Sequence, residues 1–362
     1  AHLKGSAKER RMRSLCRLVI RGGCIVLLGS SLTGCMSHKL GPARSHFYAG
    51  RRAQAERELA EIKPDEKDAI LLLSERGTIR QSMHRYEESC SDLLAAAERE
   101  RVLRTHSATE TTASFLANDK TISYRGPPFE RTLVHSYLAR NYLARGKWEG
   151  AAVEARNIIQ ELQSLEGYPD DAYSRYVAGF CLELAGDPSN ASLQYRYASN
   201  LVKGVSIDDR TGAIGPGGGK PVKAVDRGAT ELVCFVDIGR SPPGSCMYSG
   251  RIPSPAAAAY AEFYFNGRLA GRSYQFTSVA ELLRKTVEKK AAMQALKDVS
   301  RVVIKETVAH QIKQENEALG LLAEVLMLAL ESPDERRWET LPMWLQIARV
   351  PCPSDLTSYE VV

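Results

Sequence analysis

The clearest periodicity in the chain lies between Leu138 and Arg156, where small and aromatic positions recur three and four residues apart on either side of Gly146. Ala139 and Tyr142 precede the glycine, and Trp148, Ala151 and Ala155 follow it. This spacing predicts two helices folded back on one another about a tight turn. Ala139 and Ala151 let the backbones approach closely, and Tyr142 and Trp148 are expected to fill the space beside them as core.

The same pattern recurs along the first half of the chain. Leu73, Gly77, Tyr86, Ser89, Leu93 and Ala96 take the places of His135, Ala139, Trp148, Ala151, Ala155 and Ile158. Ala43, Gly50, Ala55 and Leu59 fall 34 residues before Gly77, His84, Ser89 and Leu93, and Gly179, Leu182, Gly186, Ala191, Tyr195 and Ala198 repeat the third copy 40 residues later. A period of about 34 residues is that of the tetratricopeptide repeat, which these hairpins resemble. An array of stacked hairpins over residues 35–203 follows, interrupted at 104–131 by an insert rich in Ser and Thr. A segment of that length without periodicity is either a functional loop or a plain connection, and the sequence leaves both open.

The pattern changes character after Lys203. Residues 204–225 are rich in Gly and Pro and predict a linker or hairpin tip. Glu231 to Ile238 is a β-rich run closed by Gly239, Ala259 to Phe265 alternates well enough for a second strand, and Arg251-Ile252-Pro253 suggests a short one between them. Ser278-Val279-Ala280-Glu281 has capping-box spacing and opens a long helix with an apolar stripe through Leu282, Leu283 and Val287. The apolar stretch Leu319 to Leu330 is too short to span a bilayer and predicts a buried helix. Residues 336–342 suggest a turn, leading to a terminal strand over 347–351. The fold class is therefore mainly α: an N-terminal TPR-like helical-hairpin array followed by a smaller α+β domain over residues 226–362.

Charge changes the functional picture by its location. The net charge of +6 over 362 residues would suggest a polyanionic partner. Residues 1–34, however, carry seven basic side chains against one acid, Glu9, so the remaining chain is formally neutral. A neutral body lacks the general electrostatic footprint for a phosphate backbone, and no nucleic acid is expected. The basic start, the apolar run Ile25-Val26-Leu27-Leu28 and the small residues before Cys35 have the order of a signal peptide. Leu32-Thr33-Gly34-Cys35 resembles a bacterial lipobox, which implies cleavage before Cys35 and lipidation of its thiol. Several buried acyl chains, at about 0.8 kcal/mol per methylene, would anchor the protein firmly to a membrane. By the same resemblance, Met36 in place of an aspartate implies delivery to the outer membrane, facing the periplasm.

Candidate chemistry is sparse. None of the cysteines forms Cys-x-x-Cys, no histidines lie at zinc spacing, and no metal or cofactor is expected. In an oxidising periplasm, Cys234 and Cys246 are a candidate disulfide across Pro242-Pro243-Gly244, a pairing that chain distance alone leaves open. Gly215 to Lys220 fails as a phosphate loop: Ile214 stands where the first glycine is needed, and Pro221 follows the lysine. There is no Gly-x-Ser-x-Gly, no His-Glu-x-x-His and no dinucleotide fingerprint. His135, within a repeat helix, is expected to be packed or capped rather than a base. Polar residues on the first helix of each hairpin, Arg140, Asn141 and Arg175, are the candidates for a groove that receives a partner.

Phe129-Glu130-Arg131, Asn141-Tyr142-Leu143, Val153-Glu154-Ala155-Arg156, the run Phe235 to Pro242 and the run Trp338 to Pro342 together resemble a family of uncharacterised bacterial tetratricopeptide-repeat outer-membrane lipoproteins. The resemblance implies no catalytic residues. The expected function is a non-enzymatic, lipid-anchored periplasmic scaffold or assembly factor that binds a protein partner and supports an envelope machine for secretion, motility or peptidoglycan synthesis. The alternative is a cell-wall-acting hydrolase with its site in residues 226–362.

Overall fold

Gly50, Gly146 and Gly186 each take a left-handed backbone conformation, with φ of 75°, 66° and 79°, at a turn between two antiparallel helices. His84 does the same at φ 60° in the remaining hairpin, where the others place glycine. Among the described residues, the computed structural model thus has four helical hairpins: α1 (Gly41–Tyr48) with α2 (Arg52–Glu61), α3 (Ala69–Ser82) with α4 (Tyr86–Ser107), α5 (Pro128–Ala144) with α6 (Trp148–Gln163), and α7 (Ala172–Leu184) with α8 (Pro188–Leu201). These are the four copies that the sequence period predicts. Ala55, Leu93, Ala139, Ala151, Ala155, Ala191 and Ala198 are all buried at the expected seams.

The structure describes residues 39–63, 66–107, 123–218, 230–246, 252, 259–293 and 336–362. The leader with Cys35, the centre of the insert, residues 219–229, the greater part of Arg251-Ile252-Pro253 and the apolar stretch 319–330 lie outside them. Pro42–Val362 forms one compact unit. The array and the strands of the C-terminal half therefore belong to one body.

Small residues set how closely the helices approach. The backbone of Gly77 lies against Leu93, so that a Cβ there would fall 2.7 Å from the leucine Cγ. Gly179 meets the ring of Tyr195 in the same way. One packing expectation differs: Trp148 is 41% exposed. It stands at the first turn of α6, beyond the seam, and Tyr142 covers Gly150 instead.

After the array, β1 (Val205–Ile207) and β2 (Ile214–Pro216) form an antiparallel hairpin within the Gly/Pro-rich stretch. β3 (Glu231–Ile238), the strand predicted from its β-rich run, pairs with β7 (Trp344–Pro351). β7 also pairs with β6 (Tyr274–Ser278), so the sheet order is β3-β7-β6, antiparallel throughout. A second antiparallel sheet has the order β5-β4-β8, from β4 (Glu262–Phe265), β5 (Arg268–Arg272) and β8 (Tyr359–Val361). Phe263 and Phe265 of β4 pack with Ala348 and Val350 of β7 between the two sheets. Residues 279–293 are helical, and the amide of Glu281 donates to Ser278 Oγ at 3.2 Å, as the capping pattern predicts.

The close seam at Gly77 gives a direct test. Gly77→Val should lower stability by about 1–3 kcal/mol through overpacking against Leu93, measured as a fall in the urea midpoint with an unchanged slope.

Candidate functional site

The first helices of the hairpins, α1, α3, α5 and α7, make one continuous face, since α5 packs on α3 and α7 directly. A stacked-hairpin array normally leaves such an inner face for a partner. Here it is covered by the chain's own C-terminal half. Residues Arg336 to Leu341, a non-helical strap leading into β7, lie on α1, α3 and α5, and every one of them is buried.

The strap is held mainly through its backbone. Glu75 on α3 is fully buried, and its Oε1 accepts from Arg44 Nε at 2.9 Å, from Arg44 Nη2 at 2.7 Å and from the amide of Glu339 at 2.9 Å. Its Oε2 accepts from the amide of Thr340 at 3.1 Å. Arg44 on α1, 3% exposed, also donates to the carbonyl of Arg337 at 2.8 Å and lies 3.1 Å from the Glu339 carboxylate. The Tyr48 hydroxyl sits 2.5 Å from the carbonyl of Glu339 and 3.0 Å from that of Leu341. Glu130 on α5 accepts from the amide of Trp338 at 3.3 Å and from the Tyr124 hydroxyl. Unpaired, these buried groups would each be costly; paired with strap amides and guanidinium groups, both carboxylates are satisfied.

Side chains add a register to this grip. The Trp338 indole is 1% exposed, its Nε1 lies 2.9 Å from Thr78 Oγ1 and 3.0 Å from Thr340 Oγ1, and its ring packs against Tyr137 at 5.4 Å. Arg336 pairs with Asp68 at 2.9 Å. Arg337, fully buried, donates to Ser241 Oγ and to the carbonyl of Pro242, both at 2.6 Å, and lies 3.7 Å from Glu130.

Further along the face, the β3-β7-β6 sheet replaces the strap. Tyr176 of α7 donates to the carbonyl of Gly212 at 2.5 Å and meets Phe276 edge-on. Asp171 caps α7 and accepts from Thr277 of β6. Arg349 of β7 bridges Glu183 of α7 at 2.8 Å and Glu231 of β3 at 2.6 Å.

The three expected groove residues sit in this buried layer. Arg140 is paired with Asp237 of β3 at 3.0 Å and stacks on Tyr137, whose hydroxyl donates to the same carboxylate at 3.1 Å. Asn141 is fully buried: it donates to Ser89 Oγ at 2.9 Å and accepts from Gln81 Nε2 at 2.7 Å, tying α3, α4 and α5 together. Arg175 pairs with Asp170 at 2.9 Å, donates to Gln194 at 3.0 Å and stacks on Tyr197. In this structure Arg140 is engaged by β3 of the C-terminal half, and Asn141 and Arg175 by residues of the array itself.

Cys234 and Cys246, the candidate disulfide pair, stand as free thiols in this structure. Cys234 packs with Phe263, Phe265 and Val350 between the sheets, and burial pushes its thiol up to about 11. Cys246 follows a turn whose Gly244 amide donates to the Glu339 carboxylate at 2.9 Å. Among the described residues, no group of three or more His, Cys, Asp or Glu is placed to hold a metal, and no helix is long and apolar enough to cross a membrane.

A cleft with about 380 Å³ of space, open solvent included, lies between α3, α4, α5 and Trp338. Its charged wall comes from the insert's flanks: Arg104, Arg125 and Arg131 converge on Glu100, and Arg104 and Arg131 also reach Glu161. His135 lines it with Nδ1 2.7 Å from Glu154. Each of these carboxylates is matched by a cation or imidazole, so the cleft presents a salt-bridged surface rather than a poised acid and base. Its lining comes from the array apart from Trp338, the one residue of the stretch 226–362 named in its wall.

Sequence patterns miss Glu75, Glu130 and Trp338 as one constellation. A signal is present for the acids: Glu75 and Thr78 lie on the same side of α3 as Leu71, a position where a carboxylate must be buried with a partner.

No protein-family model matches the chain, and no curated protein matches it significantly. Among solved structures, a putative kinesin light chain of Podosopora anserina with nearly identical TPR-like repeats, and a point-substituted form of it, match at 14% identity over 54% of this chain and 95% of theirs, with a TM-score of 0.33. MamA MSR-1 matches at 12% identity over 44% of this chain and 91% of its own, and MamA AMB-1 at 16% over 45% and 90%, each with a TM-score of 0.19. Scores of this size carry no argument. The TPR-like array rests on the four hairpins themselves.

The inner face generates two tests. Glu75→Ala removes the buried carboxylate that faces Arg44 and accepts from two strap amides, and should cost about 3–5 kcal/mol, read from chemical denaturation. Burial holds the Glu130 carboxyl above its usual range, against the lowering effects of Arg337, Tyr124 and the Trp338 amide. A raised folded value means a stabilising contribution fully present below the unfolded value of about 4.3 and lost as pH rises through the folded one. Glu130→Gln should therefore flatten the decline in stability between mildly acidic and neutral pH, measured by urea titrations of both proteins across that range.

Proposed function

We propose that this protein is a lipid-anchored scaffold or assembly factor of the bacterial outer membrane, facing the periplasm, which binds a protein partner and supports a cell-envelope machine such as a secretion, motility or peptidoglycan-synthesis apparatus. The observation that carries the binding role is the inner face of the array: side chains of α1, α3 and α5 hold a non-helical segment by its amides and carbonyls, and here that segment is the chain's own strap. Anchorage rests on the order of the leader and on Cys35 behind Leu32-Thr33-Gly34. A non-catalytic role is favoured by the pairing of Glu100, Glu161 and Glu154 at the cleft with arginine or histidine.

Because the C-terminal half closes the inner face, the array is held at one curvature and presents a fixed outer surface of α4, α6 and α8. That suits a structural adaptor more than a freely flexing groove.

Cys35→Ala should move the protein from the outer-membrane fraction to the soluble periplasm; retention in the membrane would sink the anchoring claim. Capture of the tagged chain from crosslinked cells should return an enriched partner. No enriched partner, together with turnover of a cell-wall substrate by the purified protein, would replace the scaffold with a hydrolase.

A further inference from the structure

We propose that the inner face formed by α1, α3 and α5 is a binding site for a peptide segment of the order basic–any–tryptophan–acidic that turns at its acidic end, and that Arg336 to Glu339 is its resident occupant in cis. The inference rests on the reading of the array as a protein-binding scaffold and names the chemistry of the ligand.

The distinction between a bound ligand and ordinary core lies in how the strap's backbone is satisfied. Core segments usually bond backbone to backbone within helices or ladders. The amides of Trp338, Glu339 and Thr340 instead donate to the carboxylates of Glu130 and Glu75, and the carbonyls of Arg337 and Glu339 accept from Arg44 and Tyr48. These contacts come from side chains on three separate helices and are blind to the strap's sequence. They would serve any chain that turns in the same way and runs in the same direction.

Selectivity comes from three places on the same face. Asp68 takes a cation at the first position, 2.9 Å from Arg336. Tyr137 and Thr78 receive an indole at the third, the ring against the tyrosine and its N–H on the threonine hydroxyl. Arg44 takes an acid at the fourth, 3.1 Å from Glu339. A buried aromatic anchor with charged flanks of fixed sign is the arrangement in which a few residues dominate peptide affinity. The second position points the other way: Arg337 is held by Ser241 and Pro242 of the C-terminal half, so a peptide from a partner need not match it.

A site filled in cis competes with any ligand in trans at high effective concentration. A partner segment of this order would therefore engage only when the strap is weakened or when the partner is itself held nearby.

The test uses the full chain and a labelled, end-blocked peptide of residues 336–342. Trp338→Phe keeps most of the ring but loses the indole donor, so the tryptophan peptide should bind this variant at least tenfold more tightly than it binds the unaltered chain. Adding Glu75→Gln should reverse that gain, and a peptide of scrambled order should not bind. Equal binding of ordered and scrambled peptides, or none to a variant whose circular dichroism shows a folded array, overturns the proposal. Should Trp338→Phe fail to fold, the unaltered chain is exposed to the same peptide with a photoreactive group at its leucine. Labelling concentrated on α1, α3 and α5 supports the site, and labelling without preference overturns it. Peptide failure with successful capture of a partner from cells would leave the scaffold standing on another surface, whereas peptide binding without capture would leave the site without a cellular partner.

Discussion

The carboxylate of Glu75 is the constraint on which the rest of the molecule depends. It is fully buried in the first helix of the second hairpin, and an ionised group there is tolerated only with a cation and a full set of donors. Arg44 supplies the cation from the preceding hairpin, and the amides of Glu339 and Thr340 supply the remaining donors from nearly the other end of the chain. The array therefore cannot satisfy its own interior. The C-terminal strap is part of what lets the first two hairpins close.

Around that contact the remaining interactions fall into a consistent layer. Glu130 and Tyr48 extend the grip on the strap, Trp338 fills the space between α3 and α5, and Arg140, Tyr176 and Arg349 carry the same face onto the sheet. What would be an open groove in an isolated repeat array is here an internal interface. This has two consequences: the chain itself braces the array, and its inner face is already shaped to hold a non-helical, turning segment.

The hairpins are legible in the sequence because their signal is local. A helical seam demands small residues at set spacings, and Ala55, Ser89, Ala151 and Ala191 stand at equivalent places whatever surrounds them. Strand β3 is legible for the same reason, as an uninterrupted β-rich run. β5 and β6 are not, since Arg268 to Arg272 is largely exposed and takes its conformation from pairing with β4. The strap is the least legible feature of all. Arg336-Arg337-Trp338-Glu339 is mostly charged and lacks a period, which locally means solvent, and its burial is set by Asp68, Arg44 and Glu75 far away in the chain. Arg140, Asn141 and Arg175 are recognisable as polar residues on the correct helices; that they serve the molecule's own packing depends on topology that no local pattern carries.

Hydrogen exchange at the amides of Trp338, Glu339 and Thr340 in the unaltered protein tests the central contact most directly. If the carboxylates of Glu130 and Glu75 hold these amides, they should exchange orders of magnitude more slowly than an open chain and together with one another. Exchange at open-chain rates, while the helices α3 and α5 remain protected, would contradict it.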